Sequence, residues 1–238
     1  MSSISFISLG ITVNSPVSVN ASFIDTGTKD THKASWDFGD GTKIDGVVTE
    51  SNGSGTVTGT HIYTHPGVYS VSLTVTDKDG GVGLNVYQYI VIYNPTGGFI
   101  TAAGYFESPA GAYVSDSQKT GDIKFGIDAK YKDNTPQGKT KLNFKDANFN
   151  FESTSYEWYT INTNKAQLKG TGTINSIGSY IFLITMIDSG LPEGQHQDKL
   201  HIKITDTNGQ LIYDNQPGSS DTADPTVQIT NGAIKVHQ

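Results

Sequence analysis

Length, composition and charge exclude several functional classes. The 238 residues suffice for two ordinary domains, each with its own core, and the 16 basic residues, all lysine, are outnumbered by 23 acidic ones. A net charge of −7 without guanidinium groups argues against nucleic acid and anionic membranes as partners, and the lack of cysteine excludes disulfides, thiolate nucleophiles and cysteine-based zinc sites.

The first half of the chain shows the alternation of apolar and polar residues that is typical of β-strands. The predicted strands are Ile4–Leu9, Val17–Phe23, Lys33–Phe38, Tyr69–Thr76 and Val82–Tyr93. Between Gly41 and His61 lies a span rich in Gly, Ser, Thr and Asn, which predicts a hairpin with a flexible tip.

Two motifs in this half resemble a known family. The first, residues 36–41, reads Trp-Asp-Phe-Gly-Asp-Gly: two rings project to one side of a strand, a carboxylate to the other, and Gly39 with Asp-Gly ends it. The second, residues 61–69, reads His-Ile-Tyr-Thr-His-Pro-Gly-Val-Tyr and runs into the strand after it. Residues 1–94 therefore resemble the PKD (polycystic kidney disease) repeat. The resemblance implies an Ig-like β-sandwich that serves extracellular proteins as a spacer or adhesion module, without catalysis.

Residues 94–98, Asn-Pro-Thr-Gly-Gly, predict a domain boundary, because proline lacks a ladder donor and two glycines do not hold a strand. We expect domains at 1–94 and 99–238, joined by a linker of residues 95–98. Strand patterns continue beyond it, at Ile123–Tyr131, Tyr180–Ile187, Leu200–Ile204, Leu211–Tyr213 and Ile234–Val236. No segment carries a capped helical stripe over three turns.

The second half resembles a β-rich domain that follows PKD repeats in secreted microbial proteins. The segments that carry this resemblance are residues 98–101, 108–113, 151–158 and 213–215. The fold class we expect is all-β, with two antiparallel β-sandwich domains in tandem, the second a larger sandwich or a jelly roll.

Aspartates at strand ends of the first domain are candidate calcium ligands, because calcium binds six to eight oxygens. The candidates are Asp25, Asp37, Asp40, Asp77 and Asp79, with Asp30 beside them in sequence. No EF-hand loop or nonapeptide repeat is complete, and we favour the alternative that Asp37 and Asp40 accept hydrogen bonds from their own turn amides. A second group, Asp188, Asp198, Asp206 and Asp214, has the spacing of strand plus turn and is assigned to turns.

Catalysis has no sequence signature here. The pair His61 and His65 lies on a predicted strand and lacks the glutamate of a His-Glu-x-x-His motif, so we assign His61 to packing. No Gly-x-Ser-x-Gly elbow is present, and no glycine-rich loop leads into a helix. We therefore expect no catalytic residues and no enzyme activity.

Sugar binding is the alternative to a purely structural role. Tyr156 and Trp158 are two residues apart in a predicted strand and would share one side of it as an aromatic platform, with Tyr105, Tyr113 and Tyr159 as further rings. A tryptophan in an all-β domain can equally belong to the core.

The sequence thus predicts a non-enzymatic structural or adhesion module at the cell surface or in the extracellular space. Its partners would be other extracellular proteins or cell-surface polysaccharide, with no cofactor except a candidate calcium ion. The alternative is a carbohydrate-binding module of a larger secreted hydrolase. No apolar run approaches 18 residues and no charged and then apolar leader follows Met1, so we expect no membrane insertion and interpret the chain as a fragment of a longer exported protein.

Overall fold

The computed structural model describes residues 10–190 and 197–238. The predicted strand Ile4–Leu9 lies outside the described residues. The chain divides into two compact units between Tyr93 and Asn94. Apart from one 3-10 turn at Lys145–Ala147, the regular elements of the described residues are strands, so the predicted all-β class is confirmed.

Eight strands build the first unit, and they form two sheets. Their bounds are β1 Ile11–Thr12, β2 Pro16–Ile24, β3 His32–Asp37, β4 Lys43–Asp45, β5 Val47–Ser51, β6 Ser54–Ile62, β7 Gly67–Asp77 and β8 Val82–Tyr93. The larger sheet has the order β1-β8-β7-β3-β4, and the smaller one has the order β2-β6-β5. The span after Gly41 contributes the predicted hairpin, as β5 and β6.

The core of the first unit lies between the two sheets, and Trp36 of β3 is fully buried within it. In β2 the residues Val17, Val19, Ala21 and Phe23 alternate with exposed ones, as the sequence pattern predicts. Gly59 of β6 makes room for the indole, since a Cβ there would lie 2.8 Å from Trp36 Cδ1. A glycine on one sheet thus accommodates the largest side chain of the other.

Nine strands build the second unit. Their bounds are β9 Phe99–Ser108, β10 Gly121–Lys132, β11 Thr135–Phe144, β12 Phe149–Asn162, β13 Lys165–Ile174, β14 Ile177–Ile187, β15 Lys199–Asp206, β16 Leu211–Asp214 and β17 Asn231–His237. They form one continuous sheet in which eight consecutive strands pair in order and β17 pairs beside β9. This meander order favours a curled sandwich-like sheet over a jelly roll, which requires Greek-key crossings.

The inner face of this sheet encloses one apolar core. Residues from all nine strands take part, among them Phe125 of β10, Phe182 of β14 and Ile202 of β15. The β17 end of the curled sheet lies against the connection between β14 and β15, since the backbone N–H groups of Ile234 and Val236 in β17 donate to carboxylates of this connection. The acceptors are Asp198 Oδ2 at 2.8 Å and Asp188 Oδ2 at 3.1 Å. These aspartates cap backbone donors that a flat sheet would leave unpaired.

Two irregularities interrupt β12, between Ser153 and Ser155 and between Tyr156 and Trp158. Each shifts the register of β12 against β13 and exchanges the faces to which the following side chains point. The alternation that the sequence predicts for this strand therefore does not hold along its full length.

The described residues contain no helix of the length and hydropathy that a membrane span requires.

Candidate functional site

One end of β3 carries the motif aspartates, and both are held by their own turn. Asp37 Oδ1 accepts from the Gly39 amide at 3.0 Å, and Asp40 Oδ1 accepts from the Thr42 amide at 2.9 Å. The second oxygens face nitrogen atoms of other side chains, with Lys43 Nζ 3.1 Å from Asp37 Oδ2 and His61 Nε2 2.7 Å from Asp40 Oδ2. Both aspartates thus accept hydrogen bonds from their own turn amides, which is the alternative to calcium binding that the motif favours.

The pKa values of these two carboxyls follow from their contacts. The hydrogen bond from the Gly39 amide, with Lys43 beside it, lowers the pKa of Asp37. Burial acts to raise the pKa of Asp40, but the Thr42 amide and His61 outweigh it, so that the pKa is below the ordinary 3.8. Both groups are therefore carboxylates in neutral solution.

His61 is a packing residue in this motif. Its ring stacks on Phe38 with centroids 4.5 Å apart and meets the edge of Tyr63 at 4.5 Å. Tyr63 is buried and donates from its hydroxyl to the Phe38 carbonyl at 2.9 Å, which fastens the second motif to the first. Burial raises the pKa of the Tyr63 hydroxyl, which stays a neutral donor.

At the opposite end of β3 the structure brings three aspartates together. His32 of β3 pairs with Asp77 of β7, and carboxylate oxygens of Asp25, Asp30 and Asp77 lie within 4.8 Å of one another. Asp37 lies five residues from His32 on the same strand, and at about 3.3 Å per residue this separates the two positions by roughly 17 Å. The candidate ligands Asp37 and Asp40 therefore do not join Asp25 and Asp77 in one group, because the length of the strand separates them. Asp79 faces Lys78 at 3.7 Å outside the group.

One oxygen of each clustered carboxylate already has a donor. Asp25 Oδ1 accepts from the Gly27 amide at 3.2 Å, Asp30 Oδ1 lies 2.8 Å from Lys78 Nζ, and Asp77 Oδ1 accepts from the amides of Asp79 and Gly81 at 2.8 Å. The hydrogen bond from the Gly81 amide lowers the pKa of Asp77, which keeps this carboxyl ionised.

The other oxygen of Asp25 is the unusual atom of the group. Oδ2 is buried and accepts no hydrogen bond. His32 Nε2 lies 3.2 Å away but without hydrogen-bond geometry, while its Nδ1 is 2.6 Å from Glu50 Oε2. A buried carboxylate oxygen without a donor is costly, and a cation bound by the three aspartates would remove that cost.

A pocket of about 250 Å³ opens beside this group, with Asp25, His32 and Asp77 in its lining. Three carboxylates and the adjacent open space fit a hard divalent cation, which takes oxygen ligands and completes its shell with water. Sequence spacing predicts neither His32 nor Glu50 here, because both reach the group through strand pairing.

Tyr156 and Trp158 do not form an aromatic platform. The register shift between them places Tyr156 opposite Gly170 and Trp158 opposite Lys169, so the two side chains point to opposite faces of the sheet. Tyr156 packs on the core and donates to the Asp128 carbonyl at 2.8 Å, and Trp158 is only 5% exposed. The expectation that they share one side is wrong because the bulge adds one residue to the strand.

The second group of aspartates is held by turns and strand edges. Asp206 accepts from the amides of Asn208 and Gln210 at 2.8 Å, as the turn interpretation predicts. Asp214 accepts from the Gln216 amide at 2.8 Å and lies 2.9 Å from His201 Nε2, with both side chains buried.

Comparison with known families decides the nature of the first unit. Residues 8–91 match the family model described as PKD domain. These residues belong to the PKD domain family. PKD domains are Ig-like, typically extracellular, and generally structural modules without catalysis. The two motifs around Trp36 and Tyr63 lie inside the matched PKD range, and the three-aspartate group lies within it as well. A search of curated proteins finds no match to the chain.

Proposed function

We propose that the chain is a non-catalytic structural and adhesion module of a larger extracellular or cell-surface protein. The observation that carries this proposal is the PKD domain at residues 8–91, since such domains serve as spacers and contact modules outside the cell. Its partners are other extracellular proteins or the polysaccharides of a cell surface.

The alternative, a carbohydrate-binding module of a larger secreted hydrolase, loses its original support. The aromatic pair assigned to it, Tyr156 and Trp158, lies on opposite faces of β12. A sugar-binding role therefore needs a different surface.

Location is the direct test of the proposal. Antibodies against the purified chain, used on fractionated cells of the source organism and on intact cells shaved with protease, should find the antigen in the surface or secreted fraction. Loss of the signal from intact cells after shaving is the expected result. An antigen confined to the cytosolic fraction and protected from protease would contradict it.

We also propose that Asp25, Asp30 and Asp77 hold a calcium ion that stabilises the PKD domain. The support is the buried Asp25 Oδ2, which has no hydrogen-bond donor, together with two further carboxylates within 4.8 Å. The competing explanation is that His32, wedged between Asp25 and Glu50, is a sufficient partner for these carboxylates without an ion. The two explanations differ in their response to a chelator.

A further inference from the structure

The outer face of the second unit carries a groove across strands β9 to β12. Pairing register places Ala103, Gly126, Lys141 and Glu152 in one row across these strands. A parallel row, two residues along, contains Tyr105, Lys124, Asn143 and Asn150. The residues between the rows, such as Phe125 and Leu142, point into the core, so all members of both rows face outward.

The floor of the groove is made of the smallest side chains. Ala103 and Gly126 are neighbours across β9 and β10, and a Cβ built on Gly126 would meet no atom within 4 Å. A cavity of about 480 Å³ lies over this floor, with Lys124, Lys141 and Asn150 in its lining. A missing side chain at the centre of a strand weakens the strand, and it commonly marks a place where another chain approaches the backbone.

One wall of the groove is a ladder of asparagines. Asn143 Nδ2 donates to Asn150 Oδ1, and Asn150 Nδ2 donates to Asn175 Oδ1 at 3.2 Å. Asn175 Nδ2 donates in turn to the Asn148 carbonyl at 2.8 Å, so the ladder is anchored to backbone. Each primary amide carries two donors and two acceptor positions, so an exposed, fixed ladder still offers hydrogen-bonding capacity to a ligand.

The charges around the groove are balanced, because the lysines Lys124, Lys139 and Lys141 share the outer face of β10 to β12 with the carboxylates Asp122, Asp128 and Glu152. Lys139 and Lys141 both face Glu152, and Lys139 lowers the pKa of that carboxyl, which keeps it ionised. Lys124 Nζ lies 5.9 Å from the ring centre of Tyr105, which is 38% exposed at the end of the row. An anionic ligand would have to compete for lysines that have partners and would face Glu152. A neutral ligand rich in hydroxyl groups would meet the asparagine amides, the Glu152 carboxylate and the edge of the Tyr105 ring.

From this arrangement we propose that the groove binds an uncharged polysaccharide. The small floor would admit sugar rings, the asparagine ladder and Glu152 would exchange hydrogen bonds with vicinal hydroxyls, and Tyr105 would contact the apolar face of a ring. A protein partner fits less well, because stable protein interfaces have an apolar, aromatic centre of a larger area. This inference rests on the proposed surface role and names its ligand class.

Affinity gel electrophoresis of the full chain tests the groove. The probes are three neutral polysaccharides, namely galactomannan, xyloglucan and β-1,3-glucan, and two anionic ones, alginate and hyaluronan. Gly126→Phe places a ring over the floor, at a position where a Cβ meets no atom within 4 Å, and Asn150→Ala removes the centre of the ladder. Val114→Phe is the matched control, since it adds the same ring at a site that is 52% exposed and outside the groove. Circular dichroism checks that each variant is folded.

The expected result is retardation of the parent chain by at least one neutral polysaccharide. Gly126→Phe abolishes it, Asn150→Ala weakens it roughly three- to tenfold, as the loss of one or two hydrogen bonds implies, and Val114→Phe leaves it unchanged. No retardation by any of the three neutral probes, retardation by anionic probes alone, or full binding by folded Gly126→Phe would each overturn the inference. If Gly126→Phe does not fold, Asn150→Ala decides. Cell fractionation tests the surface role separately, so binding in a protein found only in the cytosol would refute that role and leave the groove intact.

Discussion

The two ends of strand β3 place the same residue types, aspartate and histidine, in opposite situations. At the Asp37 end, the four oxygens of Asp37 and Asp40 are met by a turn amide, a lysine or His61. At the His32 end, three carboxylates crowd together and Asp25 Oδ2 is buried without a donor. At the first end every carboxylate oxygen has a partner, whereas at the second Asp25 Oδ2 has no hydrogen-bond donor. An unpaired carboxylate oxygen is therefore a better reason to propose a metal site than the number of carboxylates that lie close together.

The largest effect expected concerns Trp36, which lies in β3 between the two ends. Trp36→Ala should lower the free energy of unfolding by about 3 to 5 kcal/mol, because it removes a fully buried indole between two sheets that hold both ends in place. Guanidinium unfolding followed by circular dichroism measures the loss. Lys33→Ala, at an exposed position of the same strand, is the control. An unchanged midpoint for Trp36→Ala would show that the two ends do not depend on this core.

Calcium should distinguish the two ends of β3 most clearly. At a free Ca²⁺ concentration 100 times its dissociation constant, the ion should stabilise the PKD domain by about 2.7 kcal/mol, and a chelator should reverse the shift in the melting midpoint. Asp25→Asn should remove this response to calcium. Asp37→Asn, at the other end of β3, should keep it. If calcium and chelator leave the midpoint unchanged, the calcium site is excluded.

The close approach of the two sheets in the first unit predicts a smaller loss of stability on substitution of Gly59. Gly59→Ala should destabilise the first unit by about 1 to 3 kcal/mol, because the new methyl group would lie 2.8 Å from the Trp36 ring. The matched control is Gly126→Ala, where a Cβ meets open space, and there the change should be neutral or stabilising by up to about 1 kcal/mol. Denaturant midpoints of both variants, compared with the parent chain, give the answer. Equal effects at the two glycines would contradict the packing argument.

The smallest loss of stability should come from removing the charge of Asp40, beside Asp37 at one end of β3. Asp40→Asn keeps an acceptor for the Thr42 amide but loses the charged contact with His61, at a cost of about 1 kcal/mol, reduced by solvent screening. Because the pKa of Asp40 is lowered in the folded state, this contribution is present above pH 3.8 and is lost as pH falls through the folded pKa. Melting midpoints should therefore differ most at neutral pH and converge below about pH 3.8. A difference that grows as the pH falls would contradict this assignment. Asp79→Asn, at an exposed position, should change little.

Many elements could be predicted from the sequence because their signals are local. The strict alternation in β2 and β10, the Asp-Gly turn after Phe38 and the Asn-Gly turn before β16 each depend on residues a few positions apart. The fate of Trp158 could not be predicted in this way. One extra residue in β12 reverses the face of the strand, and a bulge forms in response to its neighbour β13 rather than to a pattern in β12 itself.

By itself, the sequence determined the all-β class, the PKD motifs and the residues that point inward along each regular strand. These follow from the two-residue period of a strand and from the backbone preferences of glycine, proline and aspartate. Only the tertiary structure decided which carboxylates meet. Asp25 and Asp77 are far apart in sequence and close in space because His32 pairs with Asp77, whereas Asp37 is separated from them by the length of one strand. The groove on β9 to β12 arises in the same way, since residues from four strands reach one surface only when their register is fixed.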